Sequence, residues 1–237
     1  MPKNLIVYDT IIISDVHLGS NLSQPGKLLQ LLKRLQFKRL IILGDMFADL
    51  NFSRLKREHW AVLSYLRELS NPKREIEIVW VIGNHDLELQ PVMSHLVGIE
   101  VLDKYEWKVD NKRCIAMHGH QFDPTIKDIQ WLSNTISWVF LQIQKIPGFK
   151  KSWSRWLDTV TGHFQNLSRS IETKAHKFAA LHGYDIICCG HTHEAMASFT
   201  TVTAYYNSGC WVKQHGTYIA FNGSNIDVIQ DDNVKDK

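Results

Sequence analysis

Three apolar runs, Arg39–Leu43, Ile78–Ile82 and Asp185–Cys189, each end on a glycine followed at once by a polar side chain: Asp45, Asn84 and His191. Continuous β-branched and apolar runs of this length read as buried strands, and glycine lets the chain turn tightly so that the next side chain points into a cleft. Open α/β sheets bind their ligands at such strand ends. The expectation is an α/β chain whose chemistry sits where strands stop.

Five short motifs occur in order: Asp15-Val16-His17, Gly44-Asp45, Gly83-Asn84-His85-Asp86, His118-Gly119-His120 and Gly190-His191-Thr192-His193. Each alone is weak. A His-x-His pair on a strand puts both rings on one face, yet many such pairs are ordinary polar side chains. Together, however, they supply the carboxylate, amide and imidazole donors of a two-metal site. Mixed nitrogen and oxygen donors suit manganese, iron, zinc or cobalt, and no thiolate is needed. An enzyme is the leading expectation.

A chain of 237 residues with 44% hydrophobic content can bury one large core, so 1–237 is read as a single domain. The N-terminal stretch lacks the basic and apolar regions of a signal peptide, and no run of about eighteen apolar residues occurs. A cytoplasmic location is expected. Cys114, Cys188, Cys189 and Cys210 show no metal-finger spacing and read as buried, reduced thiols.

The pattern predicts a strand over Tyr8–Ser14, a helix over Pro25–Gln36 and a strand over Arg39–Leu43. It continues with a helix from about Arg54 to Leu69 and strands over Glu75–Ile82, Glu100–Val109 and Arg113–Met117, the last two forming a hairpin around Asp110-Asn111. From Ala195 onward an antiparallel set is expected. The tail Asp231–Lys237 is expected to be disordered. This order suits a mixed two-sheet sandwich flanked by helices.

The motif order over residues 11 to about 212 resembles the calcineurin-like metallophosphoesterase superfamily. Asp15–Ser20, His118–Asp123 and Tyr206–Val212 resemble its UDP-2,3-diacylglucosamine hydrolase branch. The resemblance implies a four-layer α-β-β-α sandwich, with Asp15, His17 and His193 on one divalent cation and Asn84, His118 and His191 on the other. Asp45 would bridge them. Cations roughly 3.5–4 Å apart clamp the attacking and leaving oxygens of a phosphoryl displacement, and bridging water loses a proton near neutral pH. Manganese is the expected metal, with iron, zinc or cobalt as alternatives. His85 is placed to hydrogen-bond a phosphoryl oxygen or protonate the leaving group, and Asp86 is named with it as catalytic.

Several positions depart from the pattern. The acid that would follow Gly44-Asp45 at position 48 is Ala48, so Asp49, Asp86 or nothing remains to orient His85, with Asp49 reading more simply as a solvated loop residue. His120 and Cys210 stand where this branch often has Asp.

Residues 124–178 show no strand signal and carry Trp131, Trp138, Trp153 and Trp156 with a net charge of +5, against +3 for the whole chain. Pro147-Gly148 divides the segment, so a helical hairpin capping the site is expected. Such a cap could be a packed helical pair with solvated lysines, an acyl-binding surface, or a nucleic-acid guide. Its apolar stretch Trp131–Ile146 would also suit peripheral contact with a membrane surface. The expected activity is hydrolysis of a phosphodiester or pyrophosphate bond in a nucleotide lipid like UDP-2,3-diacylglucosamine, with no nucleic-acid partner. A nucleotide phosphodiesterase or phosphomonoesterase is the alternative within enzymes, and a non-catalytic protein-binding scaffold the alternative outside them.

Overall fold

The computed structural model describes residues 7–89, 93, 95, 98–123, 153–212 and 215–232, with backbone alone over 153–165. Two sheets form its centre. The first has the order β11-β10-β1-β2-β3-β4 and the second β5-β6-β7-β9-β8. In the first, β1 (Val7–Ile13), β2 (Gln36–Leu43), β3 (Glu77–Val81) and β4 (Val101–Leu102) run parallel. Against β1 lies antiparallel β10 (Gly216–Asn222), then β11 (Asn225–Asp231). In the second, β6 (Lys112–Ala116), β7 (Ile186–Cys189) and β9 (Ala204–Asn207) are parallel, with β5 (Tyr105–Val109) and β8 (Met196–Phe199) antiparallel at the edges.

Side-chain alternation divides the core into layers. Ile11, Ile13, Leu40 and Ile42 face one way and pack against α1 (Pro25–Arg34) and α2 (Arg57–Leu69) through Leu28, Leu31, Val62 and Leu66. Ile12, Ile41 and Leu43 face the other way and meet Cys114, Ala116, Ile186 and Cys188 between the sheets. Beyond the second sheet, Ile115, Ile187 and Cys189 meet Ala175 and Ala179 of α3 (Trp153–His182). Strand segments covered on both faces need apolar residues at every position, which is why Ile11–Ile13, Leu40–Leu43 and Ile186–Cys189 run apolar without interruption. The four layers match the expected sandwich.

The hairpin at Asp110-Asn111 forms, with Val109 opposite Lys112. Other expectations are corrected. Glu100–Val109 is two strands in different sheets, because residues 103–104 carry the chain from one sheet to the other. The first helix stops at Arg34, so that Gln36 can open β2, and the second begins at Arg57 after a 3₁₀ turn over Phe52–Arg54. Asp231 ends β11, buried, with Arg34 Nη2 2.7 Å from its Oδ1; residues 233–237 lie outside the described residues. So do 124–152, and with them most of the expected cap. The helix that follows runs on past 178 into the body of the fold, where Ile171, Ala175 and Ala179 are buried at helical spacing. All four cysteines are buried and free. Among the described residues no helix is long and apolar enough to cross a membrane.

Candidate metal centre

The polar motifs sit at the carboxyl ends of parallel strands from both sheets. Asp15 and His17 follow β1, Asp45 follows β2, and Asn84 and His85 follow β3; His118 follows β6, and His191 and His193 follow β7. Backbone hydrogen bonds join these turns: Asp15 N–H donates to Gly44 O at 3.1 Å, His17 N–H to Asp45 O at 3.0 Å and Gly190 N–H to His118 O at 2.9 Å. The sheets are tied at the same place. His191 N–H donates to Asp15 Oδ2 at 2.9 Å, and Trp211 N–H donates to Asp15 O at 3.0 Å.

Among the described residues, seven non-glycine residues have positive φ, and five of them are Asp15, His17, Asp45, His191 and His193. Left-handed backbone is costly for residues with a Cβ and persists where surrounding structure enforces it, typically at functional sites. Two glycines have a different task. A Cβ on Gly83 would stand 2.2 Å from Asp45 Oδ1, and one on Gly190 would stand 2.6 Å from Asp15 Oδ2. These glycines make room for a carboxylate arriving from another strand.

The side chains converge in three overlapping groups: Asp15, His17 and His193; His17, Asp45 and His85; Asp45, His118 and His191. Within each group the donor atoms lie within 4.8 Å of one another. His193 Nε2 is 3.1 Å from Asp15 Oδ1 and from His17 Nε2, and His118 Nε2 is 3.3 Å from Asp45 Oδ2. Three histidines commit one ring nitrogen to an acceptor outside the cluster. His118 Nδ1 binds Leu43 O at 2.7 Å, His85 Nδ1 binds Ala48 O at 2.9 Å, and His191 Nε2 binds Asp123 Oδ2 at 2.9 Å. Such outer partners fix the ring and leave its second nitrogen for a metal or a substrate. Asp15 Oδ1, Asn84 Oδ1 and His118 Nε2 are buried without a hydrogen bond. Unmet buried donors and acceptors are rare, and oxygen and imidazole atoms gathered this closely fit divalent cations.

Charge follows the same logic. Burial opposes ionisation of Asp15, but His193 and His118 hold its carboxyl down at about 2; Asp45 is likewise held well below the usual range by His118, His85 and His17. Burial pulls His118 and His193 down, and the carboxylates of Asp45 and Asp15 push them up to about 9 and about 10. In His17 burial wins, and its pKa falls to about 4. Two buried carboxylates thus draw positive charge into the site, as protons on imidazoles or as metal ions that displace those protons.

The calcineurin-like phosphoesterase family profile matches residues 9–195, which spans every one of these side chains. The chain belongs to the calcineurin-like phosphoesterase family. No curated protein sequence matches it. Among solved structures, the Escherichia coli phosphoesterase YfcE is similar at 16% identity and a TM-score of 0.51, covering 93% of this chain and 91% of that one. Chaetomium thermophilum Vps29 is similar at 11% identity and a TM-score of 0.50, covering 96% and 97%. At such identities the likeness shows the metallophosphoesterase fold alone.

Within this metallophosphoesterase the structure brings Asp15, His17, Asp45, His85, His118, His191 and His193 to one place, sets Asn84, its Oδ1 buried, in the chain directly before His85, and sets Asp86 apart. Asp86 is buried, and its two oxygens accept from Met46 N–H at 2.9 Å and Phe47 N–H at 3.1 Å. Burial, reinforced by Asp45, pushes its pKa up to about 7. It braces the turn that carries Asp45, and the expected catalytic place for it is corrected accordingly. No acid orients His85, because the carbonyl of Ala48 does so. Asp49 pairs with Arg54 on the surface. Asp123 is the residue that sequence reasoning passed over: it sits 68 positions from His191, and only the fold joins them.

Proposed function

We propose that this chain is a binuclear-metal phosphohydrolase that cleaves a phosphodiester or pyrophosphate bond. The observation that carries the reading is Asp45, a buried carboxylate shared by two donor groups, one reaching toward sheet one and the other toward sheet two. On this reading Asp15, His17 and His193 would hold one cation and Asn84, His118 and His191 the second, with Asp45 available to both. When bound, the cations supply Lewis-acid stabilisation of phosphoryl oxygens and a water that ionises near neutral pH.

The chain's own contribution to the reaction is His85. Its ring is one-third exposed at the mouth of the cluster, with Nε2 3.9 Å from Asp45 Oδ2. Because Nδ1–H is held by the Ala48 carbonyl, Nε2 is left on the side of the cluster, where it can pass a proton to the departing oxygen. Manganese is the proposed metal.

The favoured substrate is a nucleotide lipid resembling UDP-2,3-diacylglucosamine, met at the cytoplasmic surface of a membrane. Supporting this are the basic, tryptophan-rich composition of 124–178 and three exposed leucines, Leu22, Leu50 and Leu87, on the segments that follow β1, β2 and β3. Hydrolysis of bis(p-nitrophenyl) phosphate with added manganese tests the activity, and hydrolysis of a nucleotide lipid tests the substrate. Thinning the cap by Trp138→Ala with Trp153→Ala should damage lipid hydrolysis about tenfold more than hydrolysis of the small diester, since only the long substrate gains apolar contact. Two metals bound with no hydrolysis of diesters, monoesters or nucleotide lipids would favour a binding scaffold instead.

A further inference from the structure

Ser14, the residue before Asp15, is fully buried, and its hydroxyl is the centre of a small network. Ser14 Oγ donates to Asp15 Oδ2 at 2.5 Å and lies 2.7 Å from Ser208 Oγ. Ser208, equally buried, leaves β9 of the second sheet, and its Oγ is 3.3 Å from Cys189 O. Ser14 Oγ also lies 3.0 Å from Gly209 O; a hydroxyl has one proton, so where Ser14 gives its own to Asp15, a hydrogen bond between the two serines takes its proton from Ser208 in place of the longer contact to Cys189 O.

The consequence falls on the two oxygens of Asp15. Oδ2 receives both Ser14 Oγ–H and His191 N–H, whereas Oδ1 is turned to the imidazoles, 3.1 Å from His193 Nε2 and 3.8 Å from His17 Nε2. Gly190 closes off the remaining space, since a Cβ there would lie 2.4 Å from Ser14 Oγ. The adjoining turn braces the same region: Asn207 Nδ2 donates to Gly190 O at 2.7 Å, while Gly209 N–H donates to Asn207 Oδ1 at 3.0 Å. Asn207-Ser208-Gly209 is thus a bracket from the second sheet that reaches the first sheet's leading carboxylate.

We propose that Ser14, held by Ser208, is a positioning residue that reserves Oδ1 of Asp15 for the cation shared with His17 and His193. This inference rests on the two-metal reading. Without the Ser14 hydroxyl, one of the two donors to Oδ2 is lost, the carboxylate gains freedom to rotate, and the first cation loses a fixed ligand while the second keeps all of its own. Outer partners of metal ligands typically change metal affinity 10–100-fold.

The test is metal binding by the full chain, measured without substrate. Apo-protein, Ser14→Ala and Ser208→Ala are titrated with manganese by calorimetry, and bound metal is counted after dialysis at limiting metal. The expected result is two sites in the wild type, one of them weakened about 10–100-fold in Ser14→Ala, and a smaller loss in Ser208→Ala, which keeps the Ser14–Asp15 bond. Excess manganese should restore turnover to Ser14→Ala, which a folding defect would not allow. Wild-type affinity at both sites in both variants overturns the proposal, as does equal weakening of both sites. A wild type that binds two cations but hydrolyses nothing would remove the activity and leave Ser14 in its place, and a wild type that binds none would remove both.

Discussion

The interiors of the parallel strands and the turns that leave them obey opposite rules. Over Ile11–Ile13 of β1, Leu40–Leu43 of β2 and the whole of β7, residues are apolar on both faces, buried and paired in regular register. Immediately beyond, Asp15, His17, Asp45, His191 and His193 take left-handed backbone, and buried polar atoms such as Asp15 Oδ1 and His118 Nε2 lack hydrogen bonds. The relaxed strands enforce conformations at their ends that the turns would not adopt alone. Five of the seven described non-glycine residues with positive φ belong to the cluster, where strain of this kind has chemistry to serve.

The contrast breaks most severely if Asp45 can be removed without loss. Asp45→Ala should abolish phosphodiester hydrolysis and deplete both cations, because the carboxylate faces both donor groups. Metal analysis of the purified variant checks this: two metals retained would refute a bridge, and one retained would make Asp45 a terminal ligand. His85→Ala is the next largest effect. It should lower turnover about 10²–10⁴-fold with metal content intact, and less for esters whose leaving group needs no proton. Equal loss on good and poor leaving groups would make His85 a stabiliser of phosphoryl charge.

A pH series sharpens the same contrast. His118 and His193, pushed up to about 9 and about 10, bind protons more tightly folded than unfolded. The stability they confer is complete below the unfolded histidine value near 6.5 and is lost as pH rises through 9 and 10. Asp86, raised to about 7, acts in the same direction at lower pH, its contribution complete below 3.8 and lost as pH rises through 7. The melting temperature of metal-free protein should therefore fall between pH 7 and pH 10. Saturating manganese, which takes the place of those protons, should flatten the fall; an identical slope with and without metal would deny the exchange.

The smallest effect is a reversal of sign. Changing Ile12 to Gly rather than Ala should cost roughly 0.5–1 kcal/mol extra, because a strand interior penalises glycine. At His17, with φ of 50°, the Gly variant should instead be more stable than the Ala variant, by about 1 kcal/mol. Denaturant melts of the four metal-free variants measure both differences, and the same sign at both positions would mean that the turn is not strained.

How much could be read from the sequence divides along the same line. The runs ending at Leu43, Ile82 and Cys189 announced strands because burial on both faces leaves a local signature, and the polar residue after each glycine was found at the cluster. The reason for the glycines was only partly legible: Gly83 and Gly190 make room for Asp45 and Asp15, which come from other strands. The break at residues 103–104 was missed since no Gly or Pro marks it. Ala48 could not have been identified as the partner of His85, because a backbone carbonyl has no residue code. Asp123 and Ser14 act through partners distant in sequence, or beside them but oriented from afar, and periodicity does not register such contacts.

Each donor group but one draws on both sheets, so the spacing of the cluster depends on the thickness of the layer where Ile12, Leu43, Cys188 and Phe221 meet. That layer is a spacer shim beneath the chemistry. Packed like an organic crystal, it does not yield continuously. A larger side chain at Cys188 would prise the two halves of the cluster apart, and a smaller one at Phe221 would let them settle together, without altering any ligand. Drift among such inward-facing apolar residues would therefore alter the spacing of the cluster while leaving every donor atom in place.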